Sequence, residues 1–436
     1  MKFVAILKDS VREAMDSKVF YVMIGLSALT VLFVASISYQ PVSVENDLTR
    51  MTQSLTFLMA RQSHGMPALS IRIEDFKQTN DTPSDEPWLA DYRFRIVWEF
   101  PEELGPDKFP KEARRELVKS TRDMMRQGFS YLNDVEVTED DKSSSKTVAL
   151  IIQSHGSSAS SKSGWLHEPR ILFAIPVSFI RMPLGDLVNI IETSLVNTFG
   201  AGIALLLSTI ITAFFIPNML RKGSVDLLLV KPVHRATLLL YKFVGGLSFI
   251  FLNTVFIVAG IWLVVGLRSG LWSLGFLLSI LVITYQFAVY YSISTLFGVL
   301  TRSPIVSILV TCFAWFIFWL IGTGYGVVDA TRLMTDPQAA HDIGLAQGQQ
   351  LTEKPFPDWV YTTADVLHFA TPRMKDLDGL SARWITRDLL PPTSLSRKQA
   401  DTIYRSIKWT ETLSVTSAYI LVFLGLSCLW FGHRDY

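Results

Sequence analysis

Hydrophobic positions along the chain fall into two regimes. Six stretches are almost purely apolar: roughly Val19–Tyr39, Ile190–Ile216, Phe243–Leu267, Leu271–Leu300, Ile305–Val328 and Leu413–Phe431. Each is long enough to cross a bilayer as a helix, which takes about 20 apolar residues. Five of the six contain no Asp, Glu, Lys, Arg or His, and the second holds only Glu192. Aromatic residues gather toward the ends, among them Tyr21, Tyr39, Trp262, Trp272, Tyr325, Trp409 and Trp430. Amphipathic rings prefer that interfacial depth. Ahead of the first stretch, Phe3, Leu7, Val11 and Ala14 recur at helical spacing, with Lys2, Lys8, Asp9, Arg12 and Glu13 on the other face. Residues 1–18 are therefore predicted to form an amphipathic helix lying in the membrane interface, the alternative being a signal-peptide n-region with cleavage at Ser36-Ile37-Ser38.

The second regime is polar and strand-like. Within residues 40–189, alternating or β-rich runs occur at Leu69–Phe76, Asp91–Phe100, Thr147–Gln153 and Ile171–Val177. Pro110 opens a helical pattern reaching about Leu132, and the Ser-rich run Gly156–Gly164 reads as a loop. This length suffices for one core, and the pattern predicts a small α+β domain. A further polar segment, 329–412, separates the last two apolar stretches and reads as partly helical.

The expected fold is an α-helical polytopic membrane protein of about six transmembrane helices with an inserted extracytoplasmic α+β domain. Its expected parts are the interfacial helix 1–18, a first span 19–39, the inserted domain 40–189, and spans two to five within 190–328, which include a cytoplasmic loop at 217–242. The extracytoplasmic segment 329–412 and the last span with its tail, 413–436, complete the chain. Charge sets the orientation. With both termini cytoplasmic, the inside segments hold Lys2, Lys8, Arg12, Lys18, Arg221, Lys222, Lys231, Arg235, Lys242, Arg302 and Arg434, whereas the only short outside loop holds Arg268. Arg397, Lys398, Arg405 and Lys408 run against this bias. The expected location is the inner membrane.

Composition and motifs narrow the function. Only 18% of residues are charged and the formal net charge is +1, so nothing points to nucleic acid. The two cysteines, Cys312 and Cys428, lie inside apolar runs and cannot staple the soluble parts. No glycine is followed by lysine, which excludes the GxxxxGK[ST] phosphate loop, and neither HExxH nor GxSxG occurs. No catalytic residue, cofactor site or metal site is expected. Gly322-Thr-Gly-Tyr-Gly326 is similar to a potassium filter, but its place in a long apolar stretch reads as the packed or loosened end of a helix.

The informative segment is the loop after the second span. Ser224 suits a helix N-cap and Asp226 the positive end of that helix. Val225, Leu227, Leu228 and Leu229 make a short apolar turn, which Pro232 stops. Arg221, Lys222, Lys231 and Arg235 flank it. Such an element is either an interfacial anchor or a foot that plugs into a partner. Gly223, Asp226, Leu228, Leu229, Pro232, Arg235 and Lys242 resemble the corresponding loop of type-2 ABC transporter permeases, although Ser224 replaces the commoner Thr and Arg221 and Lys222 stand where those usually carry an acid. The resemblance implies a permease subunit of an exporter that pairs as a homodimer or heterodimer in membrane lipid. A separate ABC ATP-binding subunit would dock on this coupling loop and hydrolyse the ATP. The contact residues it implies are Gly223, Ser224, Val225, Asp226, Leu227, Leu228, Leu229, Lys231, Pro232 and Arg235. The alternatives are a secondary transporter and a membrane-anchored sensor or scaffold acting through its outer domain.

Overall fold

A computed structural model describes residues 18–62, 70–80, 86–99, 115–116, 118–123, 135–140, 147–156, 162–177, 180–220, 234–344, 351, 353–392 and 394–433. The interfacial helix expected at 1–18, most of the helix expected from Pro110 to Leu132, the middle of the Ser-rich loop and the coupling turn at 221–233 lie outside these residues. The chain divides into two compact units, one of residues 36–187 and the other of residues 1–35 and 188–436.

Helix α1 (Lys18–Ala35) leads to β1 (Ser38–Pro41) and α2 (Val44–Gln62). Strands β2 (Ser70–Gln78), β3 (Tyr92–Glu99), β4 (Glu136–Glu139) and β5 (Thr147–Ser154) form an antiparallel sheet in the order β2-β3-β5-β4. Successive side chains of a strand face opposite sides, and β3 follows that rule. Tyr92, Phe94, Ile96 and Trp98 are buried with Leu150 and Ile152 of β5 and with Val44 and Leu48 of α2. On the other face of β3, Arg95 bonds Asp75 at 3.1 Å and Asp140 at 2.9 Å. A second, smaller sheet joins β1 to β6 (Leu166–Ile171), which also pairs with β7 (Ile175–Pro176) and β8 (Met182–Pro183). His167 of β6 is almost fully buried, and its Nδ1 lies 2.9 Å from the Trp165 carbonyl. Burial disfavours its charged form and lowers its pKa to about 4.

The other unit is helical. Helix α3 (Leu184–Ser194) continues through a π-helical stretch, Leu195–Ala204, into α4 (Leu205–Thr212), and α5 (Phe215–Met219) follows a turn. The second apolar stretch is thus an interrupted helix that starts several residues before Ile190. Helices α6 (Arg235–Ser269), α7 (Leu274–Thr301) and α8 (Pro304–Thr335) come next. The segment 329–412 folds as the end of α8 followed by α9 (Pro337–Asp342), α10 (Asp358–Ala370), α11 (Met374–Leu389) and α12 (Leu395–Ile403), and α13 (Trp409–His433) ends the fold.

Among the described residues, α6, α7, α8 and α13 are long and apolar enough to cross a membrane, and Tyr21–Ala35 and Leu205–Pro217 are shorter apolar helices. Of the four, α7 is the most buried and α8 the least. Tyr291 of α7 is stacked between Phe287, with ring centroids 5.2 Å apart, and Phe243 of α6 at 4.9 Å. The Gly322–Gly326 run does not end α8, which continues to Thr335. A Cβ at Gly322 would lie 2.6 Å from the Lys375 Cγ, so the glycine admits a close approach of α11.

Residues 36–187 expressed alone are expected to melt cooperatively, since they own a complete core. His167 falls from its usual 6.5 to about 4 on folding. The unfolded chain therefore binds more protons between those values, and stability is full above pH 6.5 and lost as pH falls toward 4. Thermal melts across this range check it, and His167→Asn, which keeps a donor for the Trp165 carbonyl, should flatten the dependence.

Candidate functional site

The described residues that bracket the segment 221–233 converge on one apolar cluster. Ile216 and Met219 of α5 and the adjoining Leu220 are buried with Leu239 of α6, Val299 of α7 and Phe431 of α13, and Cys428 packs beside them. The chain leaves this cluster at Leu220 and re-enters helix at Arg235, whose half-buried side chain opens α6. His234 supplies the extended N-cap backbone but no side-chain cap. Of the sequence-derived contact residues, Arg235 is thus placed at the start of α6. Gly223, Ser224, Val225, Asp226, Leu227, Leu228, Leu229, Lys231 and Pro232 lie outside the described residues. The described residues on either side of 221–233 thus meet α7 and α13 in one buried cluster.

A second concentration of polar side chains lies toward the opposite end of α7, where α11 crosses over the bundle. The Gly275 backbone N–H, at the start of α7, donates to Asp388 at 2.6 Å and gains the cap that its own helix lacks. Ser273 donates to Glu192. Farther along α7, the buried Gln286 Nε2 donates to Asp378 Oδ1 at 2.7 Å and to the Met374 carbonyl at 3.2 Å. Thr386 of α11 donates to Asn189 of α3 at 2.9 Å.

Helices α10 and α11 also hold α8 and α13. Arg332 of α8 donates to both oxygens of Asp365, at 2.9 and 3.0 Å. The ring of Tyr325 stacks on His368 with centroids 3.7 Å apart. His368 Nε2 lies 3.2 Å from Asp376, and Arg373 reaches Glu411 of α13 at 3.3 Å. All of these groups except Arg332 line a cavity of about 810 Å³ that also exposes Gly326, Asp329, Phe369 and Tyr404. The arrangement offers carboxylates, cations and aromatic rings on a partly apolar wall. No cluster with metal-ligand geometry occurs among the described residues.

Sequence reasoning left this site unassigned. The signal was the stripe Met374, Leu377, Leu380, Ser381, Ile385 and Leu389, all buried and at helical spacing. That stripe marks α11 as packed rather than solvated, and it places Asp376 and Asp378 against the bundle.

Burial raises the Asp378 pKa to about 7, while the Gln286 hydrogen bond and the nearby Lys375 oppose the rise and Asp376 adds to it. The folded protein therefore holds a proton that the unfolded chain releases near 3.8, and this stabilisation is full below 3.8 and lost as pH rises through about 7. Asp378→Asn is expected to melt with wild type in acid and above it at pH 8. Paired melts of the detergent-solubilised proteins check the difference.

A family model described as "ABC-2 family transporter protein" matches residues 4–436. No curated protein matches the chain. No solved structure matches it either. The match takes in nearly every residue, the bundle, the unit at 36–187 and α9–α12 alike, and the chain belongs to the ABC-2 transporter family.

Proposed function

We propose that the chain is the membrane-spanning permease subunit of an ABC exporter, driven by a separate ATP-binding subunit that docks on residues 223–232. The family is a membrane transport component, and the observation that supports the docking role is the anchoring of both ends of the turn. Leu220 and the first turns of α6 share one buried cluster with α7 and α13. A displaced turn then tilts helices instead of flexing a tether. In this reading six helices span the inner membrane, with α1 and the interrupted α3–α4 helix joining the four long ones, and both termini are cytoplasmic. A second permease half, identical or different, completes the pathway. The unit at 36–187 and helices α9–α12 then face outward, and the cavity beneath α11 opens on that side.

The turn 225–229 carries apolar anchors and Lys231 and Arg235 a polar rim. Buried apolar anchors hold most of the energy of an interface. Leu228→Asp would bury a carboxylate without a partner, at an effective cost of several kcal/mol, and should abolish co-purification of the ATP-binding subunit and its coupled ATP turnover. Lys231→Ala should leave both within about twofold, as expected of a rim contact. If Leu228→Asp retains the ATPase as well as wild type does, the turn is only an interfacial anchor.

A further inference from the structure

We infer that the hairpin joining β6 to β7 is a membrane anchor, with Leu172 and Phe173 seated among the headgroups and upper acyl chains of the outer leaflet. The inference rests on the membrane reading given above and adds a lipid contact to a unit so far read as wholly aqueous.

Three observations carry it. The first is backbone geometry. Leu172 and Phe173 are consecutive residues with φ of +51° and +62°. A non-glycine residue in this left-handed region is uncommon, and a bulky one is an outlier that marks function when the surroundings maintain it. A hairpin facing water places Gly, Asn or Asp at such positions. Here two large apolar residues occupy them, so their side chains and not their backbone preferences account for the choice. The second is exposure. Leu172, Phe173 and Ile175 are 58%, 55% and 57% exposed, and no charged residue occurs from Ile171 to Ile180.

The third observation fixes the depth. The Phe173 N–H donates to the Ser36 carbonyl at 2.9 Å, and Ser36 directly follows Ala35, the last residue of the apolar helix α1. Strand register agrees: Ser38 pairs with Arg170, so the tip beyond Ile171 lies toward the α1 end of β1. The tip is therefore held where a spanning α1 leaves the bilayer, the depth at which exposed apolar and aromatic side chains are stabilised by lipid. Leu and Phe so placed, with the charged Arg170 set back behind them, fit a lipid surface.

The test uses the full chain with Cys312→Ala and Cys428→Ser, reconstituted in phosphatidylcholine–phosphatidylglycerol vesicles. Single cysteines replace Phe173 in the hairpin, Glu136 on β4 or Leu421 on α13, and each carries an environment-sensitive fluorophore. Lipids with a spin label high on the acyl chain quench from the bilayer, and iodide quenches from water. Lipid quenching at 173 several-fold stronger than at 136, together with weak iodide quenching, supports the anchor. Strong iodide quenching at 173 alongside lipid quenching at 421 overturns the anchor and leaves the membrane reading intact. Protection of 173 from both quenchers means that protein covers the tip and also overturns it. Equal lipid quenching at 136 and 173 removes the assignment to this hairpin, and an absence of lipid quenching at 421 overturns the membrane reading itself.

Discussion

The burial of α7 among its neighbours is the constraint on which the helical unit depends. A helix surrounded by other helices in lipid gains nothing from hydrophobic transfer, because the lipid tails are as apolar as its neighbours, so close packing and satisfied polar groups must hold it. Helix α7 meets both demands. Its Tyr291 stacks against α6, and its Ser294 hydroxyl lies 2.9 Å from that of Ser307 on α8. Gln286 and Gly275 bind α11. Near its other end Val299 closes the cluster with Ile216, Met219, Leu220, Leu239 and Phe431. One helix therefore has the residues before 221 packed near one end, while Gln286 near its middle bonds Asp378 of the cavity wall. In the proposed permease this is the physical route by which a push at the turn alters the cavity.

Periodicity made much of this legible and failed where side-chain partners decide the outcome. Strand β3 could be placed from Tyr92, Phe94, Ile96 and Trp98 alone, because a half-buried strand must alternate. The long apolar helices were equally plain. The second apolar stretch looked continuous, yet it contains a ten-residue π-helical stretch, which hydropathy does not register. The Gly322–Gly326 run read as a helix end or as close packing of small residues; α8 continues through it to Thr335, and Gly322 serves the close approach of Lys375.

The cavity site was not legible because its charges read as solvent. Asp376, Asp378, Arg373 and Asp365 sit in a polar segment, and an isolated charge there is ordinarily exposed. Only the fold reveals that Asp378 is satisfied by Gln286, which is some 90 residues distant in sequence and buried within α7. Likewise His368 gains Tyr325 and Asp376 as neighbours from α8 and α11. The expected coupling turn rests on resemblance alone: of its residues the structure describes only Arg235, together with the cluster on either side of 221–233.

In the proposed permease the segment 223–232 and the cavity lie on opposite faces of the membrane. In a cysteine-free background, single cysteines at Ser160, at Thr363 on α10 and at Ser224 can be treated with an impermeant maleimide on intact cells and again after lysis. Labelling at 160 and 363 in intact cells, with 224 reacting only after lysis, is the predicted result. Labelling of 224 in intact cells while 160 or 363 waits for lysis would contradict the account.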